Sequence, residues 1–138
     1  MAAGEIQPNQ RVRRRLDADV VVWLTTVGRD QRPHAVPVWF WWDGDSFLIY
    51  SVPGQKVRDI QANPNVALHL NTDPVGGDVV RIEGTAKIDP TEAPAYKIPG
   101  YLRKYREQIK GFDWTPKFFS DKYHFAIRVT PARFHEEM

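Results

Sequence analysis

A serine and a lysine stand close together where a predicted strand gives way to a predicted helix. Ser51 ends the strand, Pro53 and Gly54 form a turn, and Lys56 lies in the first turn of the helix. A cation at a helix N-terminus opposes the helix dipole unless an anion lies nearby. Free backbone N–H groups, a hydroxyl and an ammonium together suit a phosphate group. The alternative is a solvated surface helix without a ligand, and the residues alone leave both interpretations open.

A second feature is a predicted strand, residues 34–42, in which both faces are apolar. Because side chains alternate along a strand, its faces carry Val36, Val38, Phe40 and Trp42 on one side and Pro37, Trp39 and Trp41 on the other. One face can fill a core. The other needs a dimer partner, a flat aromatic ligand or a covering helix, and we expect a partner or a ligand. The proline also predicts an edge, a bulge or an interruption in this strand.

Other kinds of chemistry find little support in the sequence. There is no cysteine, and the four histidines lack the spacing of metal ligands. Ser46 opens the return strand of a predicted hairpin, which is the wrong context for a hydrolase nucleophile. Neither a G-x-G-x-x-G nor a Walker motif is present, so dinucleotide-binding folds of those types are excluded.

The elements that must position these residues are mostly strands. Alternation and turn signals predict six of them, at residues 20–27, 34–42, 46–52, 66–71, 80–88 and 123–130. Helices are predicted at residues 5–19 and 55–62. We therefore expect a mainly β (α+β) fold, a six-stranded antiparallel barrel with short helices, in one domain of 138 residues.

A helical insertion is predicted between the last two strands. Asp89 would cap its first helix, with Pro90 at the first helical position and Glu92 closing a capping box. After an interruption at residues 99–100, a second helix ends at Gly111. Its predicted apolar stripe consists of Leu102, Tyr105 and Ile109.

Composition and charge limit the partners. The chain is 42% hydrophobic and 26% charged with a net charge of +2, and its basic residues concentrate in residues 11–15 and 97–122 around an acidic middle. This distribution suits a small anionic ligand, or serves solubility alone, and we expect no nucleic acid partner. No apolar run approaches the ~20 residues of a membrane span, and the first residues lack the apolar stretch of a signal peptide, so we expect none. We expect a cytoplasmic protein without a membrane partner.

The order of several motifs resembles that of a known superfamily. Gly28, residues 33–39, residues 49–51 and the stretch QKVRDIQANPNVAL at residues 55–68 are similar to those of pyridoxamine 5′-phosphate oxidase-like proteins. More narrowly, the sequence resembles the F420-dependent flavin/deazaflavin oxidoreductases of the B group. The resemblance implies a split β-barrel homodimer with cofactor sites at the subunit interface.

The resemblance also implies a set of cofactor-binding residues. Val36, Pro37, Val38 and Trp39 would lie along the cofactor ring, Tyr50 and Ser51 near its ribityl chain and phosphate, and Gln55 and Lys56 at the phosphate. Flavin oxidases of this superfamily usually carry arginine at the position of Gln55. Together with the basic clusters, which could meet a glutamate tail, this difference favours coenzyme F420 over FMN.

The implied activity is hydride transfer between the cofactor and a small electron-poor organic substrate. Such chemistry resides in the cofactor and needs no dedicated acid or base, so no catalytic side chain is predicted. Two alternatives stay open. One is an FMN-binding oxidoreductase of the pyridoxamine 5′-phosphate oxidase type, and the other is a non-catalytic cofactor-binding protein.

Overall fold

Seven antiparallel strands form one sheet that curls into a half-barrel. The computed structural model describes residues 7–137. The strands are β1 (Val21–Val27), β2 (Pro33–Trp39), β3 (Trp41–Trp42), β4 (Phe47–Ser51), β5 (Asn65–His69), β6 (Val79–Ile88) and β7 (Phe125–Glu137). They are hydrogen-bonded in the order β2-β1-β5-β6-β7-β4-β3. The two edges of the sheet are therefore β2 and β3, which follow each other in the chain.

Within residues 7–137, four α-helices accompany the sheet: α1 (Gln10–Ala18), α2 (Gln55–Ala62), α3 (Pro99–Gly111) and α4 (Pro116–Lys122). A short 3-10 helix spans Ala95–Lys97. The side chain of Asn9 caps α1 by accepting a hydrogen bond from the Val12 N–H at 2.9 Å. The first helix was predicted to begin at residue 5, which lies outside the described residues. The bounds predicted for α2 agree with the structure, because the Asn-Pro pair after it ends the helix.

The structure has seven strands and not the predicted six, because the predicted strand at residues 34–42 is interrupted at Phe40. The Phe40 N–H donates to the Tyr105 hydroxyl at 2.8 Å, and its carbonyl oxygen accepts from Tyr105 and from the Lys104 ammonium. Residues 34–42 are thus two strands at opposite edges of the sheet. Pro37 lies in the edge strand β2, where a missing N–H costs no ladder bond.

The core has two parts on the two faces of the sheet. The interior of the half-barrel is filled by residues such as Leu24, Phe40, Phe47, Ile82 and Ile127. The alternation of β1, with Val22, Leu24 and Thr26 buried between half-exposed neighbours, places one face of that strand in this interior. Such alternation is what a sheet with one buried face requires.

The second part of the core lies under α3 and α4. Tyr101, Tyr105, Ile109 and Phe119 pack with Leu48 and Tyr50 of β4 and with the side chains of Trp39 and Trp41. A Cβ at Gly100 would lie 2.1 Å from the Trp41 ring, so glycine is required for this close approach. The insertion therefore packs against Trp39 and Trp41, as the covering-helix alternative predicts, whereas Pro37 stays exposed. That a partner or a ligand covers the rest of this face stays a prediction.

The insertion differs from its prediction at both ends. Residues 89–94 form a turn instead of a helix, because the Asp89 carboxylate accepts from the N–H and the hydroxyl of Thr91. Glu92 pairs with Arg128 and closes no capping box. The buried face of α3 carries Tyr101, with Leu102 only partly buried. Helix α4 was not predicted.

Strand β7 continues seven residues beyond the predicted end at residue 130. A register shift between Glu83 and Gly84 of β6 accommodates Pro131, and the ladder resumes at Arg133. A Cβ at Gly84 would lie 2.5 Å from the Thr130 carbonyl oxygen, so only glycine fits at this bulge.

None of the helices in residues 7–137 has the length and apolar character needed to cross a bilayer.

Candidate functional site

A cleft opens where the curled sheet fails to close. Strands β2 and β4 approach each other there without sharing hydrogen bonds, and α3 and α4 form a third wall. The cleft has a volume of about 450 Å³, within the range of small-molecule sites. Its lining residues are Val21, Pro37, Val38, Trp39, Tyr50, Ser51, Lys56, Tyr101, Phe112, Trp114, Phe119 and Tyr123. The cleft is therefore largely aromatic, with one cation.

That cation, Lys56, has no polar partner among residues 7–135. Its ammonium makes no hydrogen bond or ion pair with any residue in the described part of the chain, although the side chain is half-buried. Burial lowers its pKa below the ordinary lysine value, because the charged form loses solvation. An anionic ligand would restore the lost interactions of this charge.

The N-terminus of α2 lies beside Lys56 and is also open. No side chain caps this end of the helix, and the first intrahelical bond runs from the Arg58 N–H to the Gly54 carbonyl oxygen at 3.2 Å. The N–H groups of the preceding residues have no partner within the helix. Uncapped N–H groups next to an unpartnered ammonium form a suitable site for a phosphate.

Unlike the Lys56 ammonium, the hydroxyl groups of the two residues at the end of β4 already make hydrogen bonds within the protein. The buried Ser51 hydroxyl donates to the Val52 carbonyl oxygen at 2.6 Å, and the Tyr50 hydroxyl donates to the Ala93 carbonyl oxygen at 2.5 Å. Burial raises the Tyr50 pKa above its ordinary value, so this phenol stays protonated. Ser51 would donate to a phosphate only after releasing Val52.

Aromatic rings form the wall opposite the helix terminus. The Trp39 ring stacks on Tyr105 with centroids 4.7 Å apart and on Phe119 with centroids 5.4 Å apart. Phe112 and Trp114 extend this wall, and Phe112 is 59% exposed. Flat, apolar walls of this kind accommodate a planar ring system by stacking.

The floor of the cleft contains a second group without a partner. Tyr101 is fully buried, and its hydroxyl has no hydrogen-bond partner among the residues that the structure describes. Burial raises its pKa well above the ordinary value of 10.0. This hydroxyl therefore retains its proton, and it is closed to solvent.

The structure brings six of the eight predicted binding residues to the cleft, namely Pro37, Val38, Trp39, Tyr50, Ser51 and Lys56. Val36 does not line it and is 37% exposed on the edge strand. The Gln55 amide donates to the Asp59 carboxylate at 2.6 Å and lines a neighbouring depression with Arg29 and Arg58. The predicted cofactor contacts of Val36 and Gln55 therefore have no counterpart in the cleft and stay predictions.

Sequence reasoning missed half of the lining, namely Val21, Tyr101, Phe112, Trp114, Phe119 and Tyr123. All but Val21 belong to the insertion. Residues 115–116 could have predicted the start of α4, because threonine followed by proline is typical of a helix N-terminus. The many aromatic residues within residues 101–125 could have indicated that this segment contributes to the lining of the cleft.

Comparison with known proteins gives a consistent result. Residues 8–136 match the family described as Pyridoxamine 5′-phosphate oxidase. No curated protein sequence matches the chain. Among solved structures, an F420 reductase is 26% identical with a TM-score of 0.59, and the match covers 87% of this chain and 92% of that one.

Two further solved structures share the fold. A FAD-binding protein from Mesorhizobium loti is 20% identical with a TM-score of 0.64, over 97% of this chain and 90% of that one. HutZ, the heme storage protein from Vibrio cholerae, is 13% identical with a TM-score of 0.66, over 96% of both chains. The fold thus occurs in a FAD-binding protein and in a heme storage protein, so the fold alone does not identify a ligand.

Proposed function

The chain belongs to the pyridoxamine 5′-phosphate oxidase family, and from this premise we propose that it is an oxidoreductase that binds coenzyme F420 in the cleft between β2 and β4. The observation that carries the proposal is Lys56, a half-buried ammonium beside the uncapped start of α2 that no residue of the described chain pairs with. FMN, which also joins a flat ring to a phosphate, is the alternative cofactor.

The lining fits a molecule with an apolar ring at one end and an anion at the other. Lys56 and the N–H groups of α2 would hold the phosphate, and a charge-assisted hydrogen bond of this kind is among the stronger polar contacts. Pro37, Val38 and Trp39 would lie along the ring, and Tyr50 and Ser51 would lie near the linking chain. Orientation of the ring in this way is the main contribution that a protein makes to such chemistry.

Charge supports F420 over FMN. Arg11 and Arg15 of the first basic cluster pair with Asp78, and Lys104 is bound within the fold. Arg103, Arg106 and Lys110 of the second cluster form no ion pair with any residue in the described range. Lys110 stands two residues before Phe112, which lines the cleft. These cations are available to an acidic tail such as that of F420, and Gln55 offers FMN no cation in place of the usual arginine.

When bound, the reduced cofactor would supply a hydride to an electron-poor C=C or C=O group of a small substrate. The protein's own residues would bind the cofactor, orient its ring towards the substrate and exclude water from the cleft. The aromatic walls from Trp39 to Trp114 would shield the reacting atoms from solvent, and Lys56 would fix the far end of the cofactor. No side chain of the cleft is assigned the role of an acid or a base.

We also propose that the active form is a homodimer with a cleft at each end of its interface. The edge strand β2 exposes Ala35, Val36 and Pro37, and an apolar edge of this kind is suited to burial by a second copy. Val36→Glu should give a monomer in sedimentation velocity, and Val75→Glu at a 91% exposed valine should not. Dimers that survive Val36→Glu would reject β2 as the interface.

The choice of cofactor is tested by fluorescence titration of the purified protein with F420 and with FMN at low and high salt. We expect F420 to bind more tightly, and its affinity alone to fall steeply with salt, because exposed charge contacts are screened. Tighter binding of FMN at every salt concentration would favour the alternative. Binding without reduction of any electron-poor substrate would favour a non-catalytic carrier, and the absence of binding would refute the proposal.

A further inference from the structure

One wall of the cleft presents aromatic surface that the fold does not cover. Phe112, the residue that follows α3, lines the cleft and is 59% exposed. Its ring centroid lies 5.2 Å from that of Trp114 and 6.4 Å from that of Trp39. Trp114 and Tyr123 are partly buried and continue the wall, with centroids 6.4 Å apart. This wall is therefore open to a molecule that occupies the cleft.

The same wall contains no charged side chain. Of the described residues that line the cleft, Lys56 alone carries a charge. The basic residues nearest to the wall in the chain, Lys110 and Lys122, are exposed and do not line the cleft, so solvent screens their charges. The cleft can thus compensate one anionic group, and the proposed function assigns that place to the phosphate of the cofactor.

We propose that the substrate of this site is a neutral, flat aromatic compound with a conjugated C=O group, which stacks on Phe112 and Trp114. This inference rests on the proposed function and names the substrate class that it leaves open. A second anion in the cleft would lose its solvation and find no cation in return. A neutral ring would lose little solvation and gain contact with aromatic side chains. The site should therefore reject a phosphorylated substrate such as the one that the family's description names.

Such a substrate needs no charged side chain for its reduction. It would accept a hydride from the reduced cofactor and a proton from water, so it gains two electrons and the cofactor loses two. In a quinone, both C=O groups become hydroxyl groups by this uptake of two electrons and two protons. The contribution of Phe112 and Trp114 would be to hold the substrate ring in place for the transfer.

The experiment uses the F420-loaded protein and two probes that share one ring system, 1,4-naphthoquinone and 1,4-naphthoquinone-2-sulfonate. With oxidised F420 bound no hydride is transferred, so calorimetry gives the dissociation constant of each probe. With reduced F420, the rate of its oxidation, corrected for the reaction without protein, gives kcat/KM. We expect the neutral probe to bind about 10-fold or more tightly than the sulfonate, because the cleft offers the sulfonate no free cation. Its kcat/KM should also be higher, although the sulfonate makes the other quinone more electron-poor.

Phe112→Ala tests the aromatic wall, and Phe118→Ala is its matched control. Phe118 is 51% exposed and lies beside Trp114, with ring centroids 5.3 Å apart, but it does not line the cleft. Phe112→Ala should weaken binding of the neutral probe about 3- to 10-fold, because one stacking partner is lost. Phe118→Ala should bind this probe as the wild type does. Urea midpoints equal to that of the wild type would show that both variants fold.

Three results would overturn the inference and leave the proposed function standing, provided that F420 binds. They are a sulfonate that binds as tightly as the neutral probe, a neutral probe that does not bind, and equal affinities of Phe112→Ala and Phe118→Ala for it. A wild-type protein that does not bind F420 would overturn the proposed function as well.

Discussion

Two lysines of this protein, Lys56 and Lys104, are partly buried, and burial lowers the pKa of each. Their surroundings differ sharply. The Lys104 ammonium donates to the carbonyl oxygens of Leu16 and Phe40, both at 3.0 Å, and lies 3.5 Å from the centroid of the Phe40 ring. The Lys56 ammonium has no bonding partner in the described chain. The Lys104 ammonium is hydrogen-bonded within the fold, and the Lys56 ammonium is left for a ligand.

The difference separates a structural residue from a binding residue. With Tyr105, Lys104 holds Phe40 at the point where the chain passes from one edge of the sheet to the other. This crossing creates the gap between β2 and β4 in which the cleft lies. Lys56 pays a desolvation cost without compensation from the protein. Stability should therefore depend on Lys104, and ligand affinity should depend on Lys56.

Lys104→Met should have the largest effect on folding. The Leu16 carbonyl oxygen would lose its side-chain donor and the Phe40 carbonyl oxygen would keep only Tyr105. Loss of such partners costs about 1–3 kcal/mol in the free energy of unfolding. Urea denaturation followed by tryptophan fluorescence measures the change. A variant as stable as the wild type would show that this lysine does not hold the crossing.

The sequence predicts an element correctly where its hydrogen bonds are local, and fails where they join residues far apart in the chain. Helix α2 is predicted with its observed bounds, because local signals decide both of its ends. The break at Phe40 is not predictable locally, since its partners Lys104 and Tyr105 lie more than 60 residues away. The false helix at Asp89 has a similar cause, because Glu92 is engaged by Arg128 from the distant strand β7.

The cleft residues that lie next to a sequence motif were predictable. Those that reach the cleft only through tertiary packing were not. The residues of β2, β4 and α2 are adjacent to recognisable motifs, and six of them meet in the cleft. The insertion residues reach the cleft only because α3 packs against Trp41 through Gly100. That Tyr101 lacks a partner, whereas Tyr105 has several, is decided by long-range contacts that a sequence pattern does not contain.

The dependence of stability on pH should distinguish the two lysines further. Burial lowers the pKa of Lys104 to about 8, whereas the unfolded chain retains the ordinary value of 10.5. Between these values the unfolded chain binds more protons, so the free energy of unfolding should rise with pH. Lys56 contributes with the same sign. Urea titrations from pH 8 to about 9, below the range in which unfolded tyrosines ionise, should show this rise in the wild type and a smaller one in Lys104→Met. Identical slopes would place the Lys104 ammonium in a solvated environment.

The smallest effect is expected from Lys56→Met in the ligand-free protein. The substitution removes a charge that is desolvated without compensation and keeps the apolar stem, so stability should stay the same or rise by a few tenths of a kcal/mol, on the order of a solvated surface change. The same urea measurement applies. A loss comparable to that of Lys104→Met would mean that Lys56 has a structural partner, and the contrast between the two residues would fail.

The most direct test of the account is the affinity of F420 for the wild type and for two lysine variants, measured by fluorescence titration at one salt concentration. Lys56→Met should weaken binding by about 1.5–3 kcal/mol, or roughly 10- to 150-fold, the scale of one charge-assisted hydrogen bond. Lys87→Met, at an exposed lysine of β6, should bind as the wild type does. Equal affinities of all three proteins would contradict the assignment of Lys56 as the cation that receives the cofactor's phosphate.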